Sequence, residues 1–223
     1  MLGGLYILSG ILGGFIGFGL SLLLRVENAL FGYVVSTGLH YTSSISYHGL
    51  FMIFFLIMPI LIGGFGNMLL PVMLGTSDLM FSRLNGLSLW LSFLGLIVIC
   101  LSIFISGGVN VGWTFYVPLS CAANALSECI DFMFISLHIV GLSSIIGSIN
   151  FVVSILSRYS YTSIFDLYFA FLSIPLYLWS LFLTSILLII SVPVLAAAIT
   201  MIIFDRHFNT TFFDPFLGGD PLT

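Results

Sequence analysis

Lysine is absent from all 223 residues, and only four arginines and eight acidic residues accompany a 60% hydrophobic composition. Charged residues make up 5% of the chain, where a water-soluble domain carries about 25%. Too few charges remain to cover a surface in water, so the chain must face lipid. The net charge of −4 is spread thinly, and Arg25, Arg83, Arg158 and Arg206 form no cluster, which excludes a nucleic-acid footprint. Cysteine is as scarce. Cys100, Cys121 and Cys129 lack the spacing of a metal site, and their odd number argues against a disulfide framework. They read as small core or loop residues. Met1 leads straight into apolar sequence. There is no Arg- and Ser-rich presequence, and no basic start with a small-residue cleavage site. The expectation is that the first helix directs its own insertion, or that the protein is made in the compartment where it works.

What the chain has instead is long apolar runs, with a mean hydropathy of +1.27. The charges punctuate them. Residues 1–24 carry none, and Arg25 and Glu27 follow; 28–77 carry none before Asp78 and Arg83. Residues 84–127 end at Glu128 and Asp131, 132–157 at Arg158, and 167–204 at Asp205 and Arg206. A spanning helix needs about 20 apolar residues. Five spans are therefore expected, near 4–24, 45–70, 87–105, 132–157 and 173–203, in one all-α integral membrane domain covering 1–223. Every charge then falls at or beyond a boundary, as the cost of an unpaired ion in lipid requires. A transmembrane β-barrel would need segments of about ten residues alternating in polarity, and none is present. Arg83 and Arg158 share the N-terminal side while Arg25 and Arg206 lie opposite, so positive charge does not orient the bundle. The 106–127 loop, with GWTFYVPLS, and the tail DRHFNTTFFDPFLGGDPLT suit an aromatic interfacial cap.

His48, early in span two within SYHGLFMIFF, is the most informative residue. An ionisable group in a membrane helix faces the protein interior or a cofactor, and neutral imidazole is a common axial ligand of haem iron. A hydrogen bond to another helix is the plainer role. Asn67 closes the same helix; 19 positions of α-helix rise about 28 Å, close to the hydrocarbon thickness of about 30 Å. A metal site at His48 and a polar entry at Asn67 would then lie near opposite faces. Asp78 and Asn85 are expected in a short loop after the helix-stopping Pro71. Clustered carboxamides beside a carboxylate hold a chain of waters that passes protons inward, or cap helices and shape turns. In span four, Ser143 and Asn150 share a helical face, and Ser144 adds a hydroxyl; small polar residues also join membrane helices. His138 shows no partner in the sequence and reads as structural. Arg25 either snorkels to the interface or hydrogen-bonds a buried cofactor, and Glu27 either binds a cation or faces water.

Taken together, HGLFMIFFLIMPILIGGFGN, GTSDLMFSRLN, GWTFYVPLS, FISLHIVGLSSIIGSINF, PVLAAAITM and DRHFNTTFFDPFLGGDP resemble, in order, the N-terminal part of subunit I of the haem-copper oxidases, the cytochrome c oxidase class. The match runs from about Leu5 to Pro221 and is weak around Arg158 to Ile174. By that resemblance, His48 is one axial ligand of the low-spin haem a, Arg25 hydrogen-bonds its formyl group with Trp113 nearby, and Tyr41 lies near it on a second proton route. Asp78 is the entrance acid of the D proton channel, and Asn67, Asn85, Tyr6, Ser88, Ser143, Ser144 and Asn150 are polar residues along it. Glu27 and the Gly32 carbonyl belong to a sodium or calcium site. The resemblance also places Asp78 on the matrix side of a mitochondrial inner membrane, with the bacterial plasma membrane as the alternative. Gly86 and Val117 depart from the family pattern, where a second asparagine and a Pro-Pro pair are common.

The family fold has twelve helices, and this chain accounts for about five. The copper B ligands, the haem a3 ligand and the second haem a ligand lie in the remainder, so the chain alone is expected not to reduce oxygen. The expectation is a subunit I made as two polypeptides. A second chain would supply the remaining helices, alongside subunits II (with copper A) and III, accessory subunits and cytochrome c. The competing function is a secondary transporter with Gly-broken helices, which leaves the collinear motifs unexplained. A quinol oxidase is a further option within the family.

Overall fold

The fold is that of a computed structural model, which describes residues 1–29, 38–105, 109, 111–117, 119–121, 128–158, 174–215 and 218–220. Five helices are long and apolar enough to cross a membrane: α1 (Leu2–Ala29), α2 (Gly38–Leu74), α3 (Ser82–Phe104), α4 (Cys129–Arg158) and α5 (Leu176–His207). No strand occurs among the described residues. The bundle is antiparallel between chain neighbours, with α1 against α2, α3 along α4 and α4 along α5.

Each expected span has its helix, and the helices run past the charge boundaries. Arg25 and Glu27 lie in the last turns of α1, Arg83 in the first turn of α3, Asp131 at the start of α4, and Asp205 and Arg206 at the end of α5. Helix ends at the headgroup level let these side chains reach polar surroundings while the backbone stays bonded.

Three expectations for α2 are corrected. Pro71 does not stop the helix but sits inside its last α-helical segment, Gly66–Leu74. Proline removes one N–H yet is tolerated in membrane helices where local winding adjusts. Gly75 provides the stop, with a left-handed φ of 67°. Its N–H reaches the Val72 carbonyl and that of Thr76 reaches Pro71, the closure that glycine favours at a helix C-terminus. Second, Asn85 is in the first turn of α3 rather than in a loop. Third, α2 is not α-helical throughout. Phe51–Ile57 and Pro59–Phe65 are π-helical, and their i→i+5 bonding puts more residues in each turn. The rise from His48 to Asn67 is therefore smaller than the α-helical estimate.

Glycine lets α1 and α2 approach. A Cβ on Gly13 would stand 2.8 Å from both Cβ and the carbonyl oxygen of Phe55, and one on Gly17 would stand 2.9 Å from the Met52 sulfur. Small residues at such seams replace the hydrophobic drive that lipid removes. The main core gathers Tyr47, Phe51 and Phe55 of α2 against Ile99 of α3 and Met133, Phe134 and Leu137 of α4.

Candidate functional site

His48 belongs to the α-helical start of α2 and is partly buried. Its Nδ1 lies 2.8 Å from the Gly17 carbonyl oxygen in α1. A carbonyl only accepts, so Nδ1 carries a proton, and in the neutral ring the lone pair is then on Nε2. This is the arrangement in which a metal-binding histidine is oriented and its tautomer fixed by an outer partner. The absence of a Cβ at Gly17 lets the carbonyl come that close. Gly49, the next residue, allows another approach: a Cβ there would stand 2.9 Å from the Trp113 Cβ. His48 and Trp113 are thus brought into one neighbourhood from 65 positions apart. Tyr41 is two turns earlier on the same face of α2, and its hydroxyl donates to Asn28 Oδ1 at 3.2 Å. Arg25 is exposed near the end of α1, and Glu27 beside it is buried. Gly32, the other half of the expected cation site, lies outside the described residues. Among the described residues no cluster of three or more His, Cys, Asp or Glu forms a metal site.

A second constellation joins α1, α2, α3 and α4. Asn85 Nδ2 donates to Asn67 Oδ1 at 2.7 Å, and Asn67 Nδ2 donates to the Gly63 carbonyl at 2.6 Å. Ser88 donates to the Asn85 carbonyl at 2.8 Å. Its only hydrogen is thereby used, so the Tyr6 hydroxyl, 2.7 Å away, is the donor to Ser88 Oγ. Ser143 donates to the Ser88 carbonyl at 2.6 Å, and Ser144 to that of Gly141 at 2.8 Å. Tyr6, Asn67, Asn85, Ser143 and Ser144 line a cavity of about 40 Å³. At roughly 10–15 Å³ for each water, it has room for about three or four. Asn85 is 4% exposed, and its Oδ1 has no hydrogen-bond partner. A buried carbonyl oxygen without a donor is costly, and the adjoining space is large enough for a water that would satisfy it.

Asp78 stands exposed on the short Gly75–Phe81 connection, outside the cavity wall. Asn150 does not line the cavity either. Its Oδ1 accepts from the Phe81 N–H at 3.0 Å and its Nδ2 donates to the Phe81 carbonyl at 3.1 Å, which clamps that connection to α4. The motifs did not single out Ser92, which is on the cavity wall. Its signal was present as the spacing 85, 88, 92, one face of a helix. His138 has a partner after all, since Nε2 is 3.1 Å from Thr200 Oγ1 of α5. It borders a larger, apolar cavity of about 310 Å³ that shares Ser144, Phe54, Met58 and Val140 with the smaller one.

The family model for cytochrome c and quinol oxidase polypeptide I matches residues 1–223. The chain belongs to that family. It is 43% identical over 222 residues to cytochrome c oxidase subunit 1 of Mytilus edulis, covering 99% of this chain and 39% of that protein. It is 41% identical over 221 residues to cytochrome c oxidase subunit 1 of Yarrowia lipolytica, covering 97% and 40%. The corresponding protein of Pecten maximus is 42% identical over 221 residues, with 99% and 45% covered. The chain thus spans about two fifths of the length of the relatives it matches. As a member of the polypeptide I family, it has its N-terminal five spans in the collinear order the motifs indicated. The transporter alternative falls with that assignment, because the match covers the chain as a whole rather than one glycine-rich segment.

Proposed function

We propose that this chain is the N-terminal part of the catalytic subunit of a terminal respiratory oxidase, cytochrome c oxidase, in the mitochondrial inner membrane. The family match, the names of the relatives and the five membrane-length helices support this reading. The observation that carries the site assignment is the 2.8 Å bond between His48 Nδ1 and the Gly17 carbonyl. It presents Nε2 as a free donor atom, which fits an iron porphyrin held from one side. When bound, haem a would supply one-electron transfer. His48 would hold and orient it, Trp113 would pack beside it, and Arg25 would hydrogen-bond its polar edge. The opposing ligand, haem a3, copper B, subunits II and III, accessory subunits and cytochrome c would all come from outside this chain. Held by His48 and a second ligand from outside these residues, haem a would have no open site for oxygen and would serve as an electron relay.

On the proton side, Asp78 would collect protons at the surface. The cavity of Asn67, Asn85, Tyr6, Ser143 and Ser144, with Ser88 bonded to Tyr6 behind its wall, would hold the waters that carry them inward, and Asn150 would keep the Asp78 connection in place. The buried Glu27 would be half of a sodium or calcium site completed by Gly32. The remaining three fifths of the family fold would complete the subunit.

The test of the haem assignment is visible absorption and haem quantification of the purified complex. His48→Ala is expected to lose the low-spin haem band and about half of the extractable haem. An unchanged band in that variant would remove the assignment.

A further inference from the structure

We propose that Ser92 is the deepest water-binding residue of the small cavity, carrying its water chain one helical turn beyond Ser88. The inference rests on the reading of that cavity as a proton path and adds a residue that the motifs do not contain. Asn85, Ser88 and Ser92 lie on one face of α3 at i, i+3 and i+7, so Ser92 is about 10 Å deeper than Asn85 and about 6 Å deeper than Ser88. The antiparallel seam with α4 fixes the levels. Phe81 meets Asn150, Ser88 meets Ser143, and Gly95 meets Ser136. Ser92 therefore sits inward of Ser143 and outward of Ser136, and it lines the cavity while 7% exposed.

Hydrogen accounting shows what the cavity takes. The Ser92 hydroxyl donates to the Leu89 carbonyl at 2.7 Å. The hydrogens of Tyr6, Ser88, Ser143 and Ser144 are likewise directed at serine or backbone oxygens. What the lining hydroxyls of Tyr6, Ser92, Ser143 and Ser144 turn to the cavity is acceptor capacity, and the buried, unpartnered Oδ1 of Asn85 adds to it. Asn67 and Asn85 each keep one amide hydrogen beyond their bonds to Gly63 and Asn67, so the wall is rich in acceptors with a few donors and suits water, which both donates and accepts. Inward of Ser92 the polar wall ends. Leu96, Ile99 and Val140 are buried apolar residues, and the Ser136 hydroxyl is bonded to the Gly95 carbonyl at 2.8 Å. The innermost α3 side chain on the cavity wall is Ser92.

The experiment uses the assembled oxidase in vesicles, with proton uptake in a single turnover followed by a pH dye. Weakly bonded water O–H bands are followed in infrared difference spectra with H₂¹⁸O exchange. Ser92→Ala is expected to slow uptake about fivefold, the factor of one ordinary hydrogen bond, and to lose one exchangeable water band. Ser92→Leu, which fills the space, is expected to slow it further, and Ser92→Thr is expected to retain both signals. If the Leu variant fails to assemble, the Ala variant still decides. Wild-type uptake and water bands in Ser92→Ala would overturn the proposal. If Asn85→Leu slows uptake while the Ser92 variants do not, Ser92 alone is excluded. If Asn85→Leu also behaves as wild type, the proton-path reading falls with it.

Discussion

At position 17 the missing side chain and the exposed carbonyl act together, because the carbonyl that orients His48 reaches it only across a glycine seam. A methyl group there would stand 2.9 Å from the Met52 sulfur and 3.1 Å from the Phe51 Cβ. Met52 yields easily, whereas Phe51 is fully buried. Gly17→Ala is therefore expected to move α1 off α2 and cost about 1–3 kcal/mol. A lowered unfolding midpoint is the expected reading, joined by a shifted haem band if His48 holds haem as proposed. Cys121 gives a second case, in the connection between α3 and α4. Burial pushes its thiol up from an ordinary 9.0, the Asp205 and Asp214 carboxylates add to this, and Arg206 opposes it. A folded-state value above the unfolded one means that the thiol's contribution is present below about pH 9 and is lost as pH rises beyond it. Alkylation at pH 8 is expected to be slower in the folded complex than in the unfolded chain. Cys121→Ser should flatten the alkaline fall in stability. The sequence marked His48 as ionisable in an apolar helix, but it did not show which ring nitrogen is free. That depends on a carbonyl 31 positions away.

At the scale of helices, the ends of α4 and α5 are joined by a buried ion pair. Arg206 donates to both carboxylate oxygens of Asp131, at 2.7 and 3.2 Å, and to the Ser120 carbonyl at 3.2 Å. The Arg206 side chain is 5% exposed, and His207 approaches the same carboxylate at 3.3 Å from a far more exposed position. One guanidinium therefore fixes two helices and the loop between α3 and α4. Removing one partner of a buried pair costs about 3–5 kcal/mol, because the other charge is left uncompensated. Arg206→Gln is expected to lower the unfolding midpoint of the reconstituted complex by several degrees, read by tryptophan fluorescence. Asp131→Asn should do the same, and the double variant less than the sum. An unchanged midpoint in either single variant would show the pair to be dispensable. The sequence located both charges at helix ends but not their pairing across 75 positions. It also misplaced the end of α2, since a proline stops a helix only where its neighbours cannot rewind.

Across the whole molecule, the charge punctuation made all five spans legible because the penalty for ions in lipid is larger than any local propensity. The register between spans was not legible. Asn67 meets Asn85, Ser143 meets Ser88, and His138 meets Thr200, and none of these pairings follows from a hydropathy pattern. Exposed apolar residues such as Trp90, Phe104 and Val72 give no register either, since they touch no neighbouring span of this chain that would fix a rotation. An odd number of spans puts the Asp78 connection and the Arg206 tail on opposite sides. Thr76→Cys and Thr210→Cys are thus expected to react with a membrane-impermeant maleimide from opposite faces of sealed vesicles. Reaction of both from one face would contradict five crossings.

The broad winding of α2 has a consequence for any rearrangement of this gene. Between the imidazole and the carboxamide that meets Asn85 lie two stretches of wider coil, and their combined rotation sets the angle between those two side chains. Deleting a single residue there would let tighter coiling resume and leave the spanning length nearly intact. It would nevertheless turn Asn67 away from its neighbour relative to His48, uncoupling the imidazole end of the helix from the end that borders the small cavity.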